Sequence, residues 1–354
     1  MAVDELSQGL DKIAQMYSGA ILDINPLGNG YINDTYLIEA DTFSFVLQKI
    51  NSNVFPNPEQ IMGNLIVLNQ HIKAMVTKQN TLTIPELLLT QSGNSFYQDE
   101  QNEYWRALSY IENTKSLETL GNFAEAEQVG VALGQFHRLT YSLDSASLFD
   151  TLPGFHITSC YWGQYQQIKS HASVAEDAYC KDFIDRWQHI IHDLEAAKKQ
   201  GLLVDRVIHG DPKLNNFLFD KTSKRIVSLI DLDTVKPGLI HYDIGDCLRS
   251  SCHKTDINEF DLDICRVILT SYLQEMGELF SDKDYQFLYS CIRLIPFELG
   301  IRFYADYLDG NRYFKVTEPE ENLRRATGQF QLCASVMGQE VEINNLIMQL
   351  QQNI

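Results

Sequence analysis

The stretch Val207–Asp220, VIHGDPKLNNFLFD, sets His209, Asp211, Lys213, Asn215 and Asn216 between two apolar segments. Each of these residue types has a chemistry in such a place. An aspartate on a loop can orient a hydroxyl and accept its proton. An amide oxygen five residues later can bind a hard divalent cation, which prefers oxygen donors. An ammonium two residues after Asp211 can offset charge that builds on a transferring group. Fifteen residues beyond Asn216, the apolar run 226–231 ends in Asp231-Leu232-Asp233-Thr234. A carboxylate leaving a buried strand is costly unless it is paired or bound to a metal. Asp231 is therefore the second candidate metal ligand beside Asn216. Asp233 is open as a further ligand, a group just behind the ligands, or a contact to a bound substrate. His209 reads as a structural hydrogen-bonder. Asp243 and Asp246, in YDIGD, read as caps of the next helix or braces of the loop.

The spacing His209-x-Asp211-x-x-x-x-Asn216 fits the H-R-D-x-x-x-x-N loop of phosphoryl-transfer enzymes, with Gly210 in place of the arginine. A turn whose Asp and Asn cap backbone groups would give the same single match. The acidic motif that follows, in order and across a β-hairpin, favours phosphoryl transfer. The string LIDLDTV also fits the strand-end D-x-D-x-[TV] of haloacid-dehalogenase-like phosphatases. That motif opens a chain of alternating strands and helices, whereas the residues after Asp246 read as helical and the HGD loop would have no role.

The elements that must position these groups follow from periodicity. Residues 3–17 predict an amphipathic helix with Leu6, Leu10, Ile13 and Met16 on one face. Strands are expected at 20–24, 34–40 and 43–50, with Gly28 and Gly30 at a turn in LGNGYIN. A helix starts near 58, with Asn57 as its cap, Pro58 in the first position, and Ile61, Leu65, Leu68, Ile72 and Met75 as its buried stripe. Strands at 86–90, 95–98 and 103–111 complete a β-rich N-terminal lobe, residues 1–108. Helices are expected at 123–139, 176–200, 257–277, 282–308 and 321–351, and a hairpin joins 217–219 to 226–231. The architecture is α+β, two lobes joined near 108–114, with a helical C-terminal lobe over 109–354.

Composition limits the partners. The 354 residues carry a net charge of −19, which argues against nucleic acid or an anionic membrane as a partner. The N-terminus, MAVDELSQGL, lacks a basic region followed by an apolar run, and no stretch approaches the ~18 apolar residues of a membrane span. A cytoplasmic protein is expected. Seven cysteines without a Cys-x-x-Cys predict reduced core thiols rather than a disulfide framework or zinc site.

HGDPKLNN, IDLDT and YDIGD together resemble the aminoglycoside phosphotransferase and choline kinase superfamily, whose members have a protein-kinase-like fold. PLGNGYINDTYL, FVLQKIN followed by VFP, WRALSYIENT and GIRFYADYLDGNRYF extend the resemblance toward the N-acetylhexosamine 1-kinases. The resemblance implies ATP and Mg²⁺ as cofactors and a small-molecule sugar as acceptor. It implies Asp211 as the catalytic aspartate and acceptor contact, Lys213 as a phosphate-facing lysine, and Asn216 and Asp231 as metal ligands. Gly28, Gly30 and Asn33 then cover the phosphates, and the backbone of Leu108, Tyr110 and Ile111 meets adenine. Tyr31, Asp233, Arg302 and Tyr313 fall to the sugar, Tyr31 standing where close relatives have histidine. A typical kinase strand puts its phosphate-anchoring lysine where Gln48 aligns here, so either the register shifts and Lys49 does this work, with Glu59 as its partner, or the phosphates are held by Mg²⁺ and the glycine loop. Glu298, Arg302 and Asp306, spaced by four on a helix, could equally form an exposed ion-pair ladder. A kinase for another small alcohol, such as choline, ethanolamine, homoserine, methylthioribose or an aminoglycoside, is the nearest alternative, and a catalytically silent nucleotide-binding module is the alternative of another class.

Overall fold

A computed structural model describes residues 9–28, 32–75, 82–172 and 174–353. The expected α+β arrangement is what the chain forms. Its first part is an antiparallel sheet of β1 (Ile21–Pro26), β2 (Asp34–Ala40), β3 (Ser44–Ile50), β4 (Leu87–Leu88), β5 (Tyr97–Gln98) and β6 (Tyr104–Ser109). The strand order is β1-β2-β3-β6-β4, with β5 also on β6. Helix α1 (9–14) lies on one face of this sheet, where Leu10, Ile13 and Tyr17 pack with Ile38, Phe45, Leu47, Trp105 and Ala107. Helix α2 (Pro58–Met75) buries Ile61, Leu65, Leu68 and Ile72 in a second, larger core shared with the rest of the chain. Met16 and Met75, expected at the ends of these stripes, are exposed, because each falls where its helix ends.

The second part begins with β7 (Thr114–Lys115) and the helices α3 (Phe123–Thr140), α4 (Thr158–Lys169), α5 (Ala178–Trp187) and α6 (Asp193–Lys199). Short strands β8 (Arg206–Ile208), β9 (Phe217–Asp220), β10 (Ile226–Leu229) and β11 (Lys236–Gly238) flank the polar loop. Helix α7 (Ile240–Ser251), a hairpin of β12 (His253–Lys254) and β13 (Glu259–Phe260), and helices α8 (Leu262–Met276), α9 (Asp282–Gln286), α10 (Leu288–Leu308), α11 (Glu321–Gly338) and α12 (Glu340–Asn353) follow. Strands β9 and β10 form the expected hairpin, and β11 pairs with β8, closing a frame around His209–Asn216.

Several helices differ from their expected extents. The helix expected over 176–200 breaks at a 3-10 segment, Gln188–His192, whose tighter winding buries the adjacent Ile190 and Ile191 together. Residues 257–260 belong to the β12–β13 hairpin, turned at Asn258 with φ +54°, and helix begins only after Asp261 caps the amides of Asp263 and Ile264. The helix expected over 321–351 breaks at Gln339, whose side chain bonds the Phe260 carbonyl. Helix α4 was not expected from periodicity. Six of the seven cysteines are buried thiols, Cys160 being exposed, and none is paired. Among the described residues no helix is long and apolar enough to cross a membrane.

Candidate active site

The loop between β8 and β9 is braced from below. Asp243, fully buried on α7, accepts the amide hydrogens of His209 (2.7 Å) and Gly210 (2.8 Å) and faces His137 Nε2 at 2.9 Å. This is the supporting role expected of it. His209 accepts the Asp211 amide at Nδ1 (3.3 Å), so Nε2 carries the proton and donates to the Ile230 carbonyl (3.0 Å). Burial lowers its pKa, in keeping with a neutral structural ring. Gly210 sits at φ +87°, and a Cβ there would lie 2.5 Å from the Thr234 carbonyl oxygen, so no larger residue fits without moving the backbone. That is why this loop departs from an arginine at that position.

The charged groups converge as the sequence predicts. Lys213 Nζ lies 2.6 Å from Asp211 Oδ2 and 3.9 Å from Asp231 Oδ2, so one ammonium bridges the two segments. Burial opposes the Lys213 charge, but Asp211 and Asp231 outweigh it and raise the pKa. Asn216 donates from Nδ2 to the Asp211 carbonyl at 2.7 Å, which leaves its Oδ1 without a hydrogen bond among the described residues. Asp231 is pushed up to about 6 by the protein crowded around the cleft, with the Asp233 and Asp211 charges adding and Lys213 opposing. Its side chain nonetheless stays 44 % exposed, with Lys213 at 35 % and Asp211 at 25 %, so all three can reach a ligand.

Among the described residues no three His, Cys, Asp or Glu side chains form a protein-only metal cage. One partly exposed carboxylate and one amide oxygen without a partner among the described residues fit Mg²⁺, which usually takes few protein ligands and completes its shell with phosphates and water.

Asp233 is different. It is 2 % exposed; Oδ1 pairs with the Arg106 guanidinium and Oδ2 accepts Asn33 Nδ2 at 2.7 Å. Both oxygens are thus engaged by residues of the N-terminal part, at a position where a contact to substrate was expected. Asn33, expected over the phosphates, gives one Nδ2 hydrogen to Asp233, and its Oδ1 accepts the Asn51 amide at 3.0 Å. Gly30 and Tyr31 lie outside the described residues. Gly28, at φ +71° with open space around it, forms the exposed turn after β1.

Lys49 is also corrected. The register pairs Gln48 with Thr35 and Arg106, and Lys49 with Asp34 and Trp105. Side chains opposite one another in a sheet share a face, so Lys49 points to the α1 side, where it bridges Asp34 at 3.2 Å. No register shift turns it inward, and Glu59 is an exposed first-turn residue of α2. The cation on the inner face is Arg106 of β6, which sequence reading passed over. The signal was available: one arginine inside the apolar strand YWRALS needs a buried partner.

At the end of β6, the Tyr110 amide and carbonyl and the Ile111 amide make no backbone hydrogen bond among the described residues, while Thr114 Oγ1 donates to the Ile111 carbonyl at 2.7 Å. Leu108 is laddered to both Val46 and Leu87, so Tyr110 and Ile111 offer the free backbone groups.

On α10, the ion-pair ladder does not form. Glu298 is buried, facing His156 Nδ1 (3.1 Å) and accepting Thr158 Oγ1 (2.7 Å). Asp306 accepts the amides of Tyr313 (2.8 Å) and Phe314 (2.9 Å) and the Asn322 side chain. Arg302 instead lies over the rings of Tyr161 (4.8 Å), Phe155 (5.1 Å) and Phe314 (5.7 Å), and no carboxylate of the described residues pairs with it. Burial opposes its charge, while Tyr161, Glu298, Tyr313 and Asp211 favour it and raise its pKa. Tyr313, half-exposed, stands against Phe314.

Comparison with known proteins bears on the family and the fold. A family model described as "Phosphotransferase enzyme family" matches residues 23–275. A solved structure of a microcompartment-associated aminopropanol kinase superposes with TM-score 0.70 at 17 % identity, covering 96 % of this chain and 98 % of that one. An aminoglycoside phosphotransferase from Alicyclobacillus acidocaldarius gives 0.62 at 15 % identity, covering 96 % of each chain. Amicoumacin kinase hAmiN, solved in complex with AMP-PNP, Ca²⁺ and Ami, gives 0.61 at 14 % identity over 92 % of each chain. At these identities the superpositions show the kinase-like fold.

Proposed function

The chain belongs to the phosphotransferase enzyme family, and from that premise we propose that it is an ATP- and Mg²⁺-dependent kinase for the anomeric hydroxyl of an N-acetylhexosamine. The observation that carries the kinase reading is the meeting of Asp211, Lys213, Asn216 and Asp231 in one cluster that solvent reaches through Asp211, Lys213 and Asp231. The nucleotide would lie between the N-terminal lobe, residues 1–108, and the remainder, with adenine against the backbone of Tyr110 and Ile111 and the phosphates beneath the turn at Gly28. Mg²⁺, held by Asn216 Oδ1 and Asp231, would neutralise the phosphate oxygens. Asp211 orients the acceptor hydroxyl and takes its proton while the new oxygen–phosphorus bond forms and the bond to the leaving diphosphate breaks. Lys213 offsets charge on the moving phosphoryl group. With ATP as donor, the cytoplasm is the compartment of this reading.

Arg302 supports the acceptor class. A guanidinium that no carboxylate of the described residues pairs, set among aromatic rings, disfavours an ammonium-bearing acceptor and suits a neutral polar one, such as a sugar amide. The test is ATP consumption with N-acetylhexosamines, plain hexoses, amino alcohols and aminoglycosides. N-acetylhexosamines should give the largest kcat/KM. Turnover only with the cationic acceptors would leave a kinase and remove the sugar. No turnover with any acceptor, in a protein that binds ATP, would favour the silent module.

A further inference from the structure

The kinase reading calls for a positive charge on the inner face of the N-terminal sheet, and Lys49 does not provide it. The geometry points to Arg106, together with Gln48, Asn33 and Asp233, as a positioning unit that ties this sheet to the turn carrying Asp231. The inference rests on the reading of Asp231 as a metal ligand.

Asp231 adopts φ +66°, ψ +57°. A non-glycine residue stays in that left-handed region only where its surroundings over-determine it. Here Asp233, Thr234 and Val235, just beyond it, are held from outside. Arg106 and Asn33 take the two oxygens of Asp233, and Thr151 donates to its carbonyl at 2.6 Å. Thr234 bonds the His209 carbonyl at 3.0 Å, and Asn64 of α2 donates to the Val235 carbonyl at 2.9 Å. Arg106 is itself aimed by Gln48, whose Oε1 accepts its Nε at 3.0 Å and Nη2 at 2.7 Å, while Gln48 Nε2 donates to Thr35 at 3.1 Å. The chain of contacts therefore runs from β2 and β3 through β6 to the metal-facing turn, without a lysine.

Two details set this apart from a pin that serves only the fold. A buried ion pair is often replaceable by apolar residues of similar volume, so stability alone does not call for one here. Arg106 also keeps Nη1 buried with no partner among the described residues, a donor that a purely structural pin would leave unmade at a loss. Asn33 adds the loop side: it joins Asp233 to the Asn51 amide after β3, so the turn before β2 and the Asp231 turn are positioned by the same carboxylate.

The experiment measures Mn²⁺ binding to the full chain in the presence of ADP by electron paramagnetic resonance, adenosine binding by calorimetry, and thermal unfolding. The variants are Arg106→Lys, which keeps charge but loses the fork, and Gln48→Ala, which keeps the ion pair but frees its orientation. Groups acting behind metal ligands typically tune affinity 10- to 100-fold, so each variant should weaken Mn²⁺ by roughly tenfold or more. Adenosine affinity should stay unchanged, because Tyr110 and Ile111 are untouched. Unchanged Mn²⁺ affinity in folded variants would overturn the proposal, as would parallel loss of Mn²⁺ and adenosine binding. If Arg106→Lys does not fold, Gln48→Ala and Asn33→Ala decide the matter. A wild-type protein that binds neither ADP nor Mn²⁺ would instead defeat the kinase reading itself.

Discussion

Asp211 meets Lys213 and Asn216 through Oδ2, and Oδ1 makes no hydrogen bond among the described residues, which leaves it for an acceptor hydroxyl. Asp211→Asn keeps the shape and removes the proton acceptor. Turnover should fall by about 10²- to 10⁴-fold, the usual range for a general base, with ATP affinity nearly kept; rapid-quench kinetics and equilibrium binding separate the two. His156 offers a second residue-scale test. Its ring faces acceptors at both nitrogens, the Glu298 carboxylate and the Gly210 carbonyl at 2.6 Å, and it stacks on Tyr242. Burial lowers its pKa, but the hydrogen bond and charge of Glu298, with Asp246 and the Gly210 carbonyl, more than reverse this, so the folded value lies above the ordinary 6.5. A raised folded pKa adds stability that is complete below 6.5 and is lost as pH rises through the folded value. Urea midpoints should therefore fall for wild type relative to His156→Gln as pH rises above 6.5, and parallel pH profiles would rule the imidazolium out. Asp211, Asn216 and Asp231 were legible because each motif is contiguous and its residue types are chemically specific. Arg106 stood out as a lone arginine in an apolar strand, but its partner did not, lying 127 residues away, and Lys49 against Gln48 turns on a single residue of strand phase that composition does not fix.

The loop between β8 and β9 works as an element because its backbone is held on both sides. Asp243 takes two successive amides below it, and Thr234 closes on it above. Gly210→Ala would force the new Cβ against the Thr234 carbonyl at 2.5 Å and hold alanine at φ +87°. Strained backbone of this kind costs on the order of 1–3 kcal/mol, and relaxing it must shift either Asp211 or the Asp231 turn. Denaturant unfolding should show that loss, and turnover should drop further than stability predicts; full activity in the variant would mean that the loop tolerates movement. Sequence periodicity found this hairpin and α2 because their apolar stripes are uninterrupted. It missed the breaks at Gln188 and Gln339 because apolar spacing continues across them, and only tertiary bonds such as Gln339 to the Phe260 carbonyl end the helix. It missed α4 because that helix buries only Thr158 and Tyr165 fully and carries little stripe to read.

At the scale of the whole molecule, α2 binds the two parts together. Its apolar residues share one core with α3, α7, α8 and α10, whereas the outer face of the sheet and α1 form a separate cluster. Asn64 of α2 reaches the Phe149 and Val235 carbonyls, both at 2.9 Å, and the Thr83 amide bonds the Val227 carbonyl at 2.8 Å. A nucleotide bound between Tyr110 on one side and Asp231 on the other would bridge the same boundary, so its stabilisation should register in global unfolding. Any ligand that binds only the folded state stabilises it by RT ln(1 + [L]/Kd), about 2.7 kcal/mol at a hundred times Kd. ADP with Mg²⁺ at that excess should raise Tm by several degrees, and EDTA should remove most of the shift by depriving Asn216 and Asp231 of the ion that links them to the phosphates. Adenosine, which needs only the free backbone groups at Tyr110 and Ile111, should give a smaller shift that EDTA leaves alone. An ADP shift insensitive to EDTA would mean that the phosphates are held by side chains alone, and would take the metal out of the site between Asn216 and Asp231.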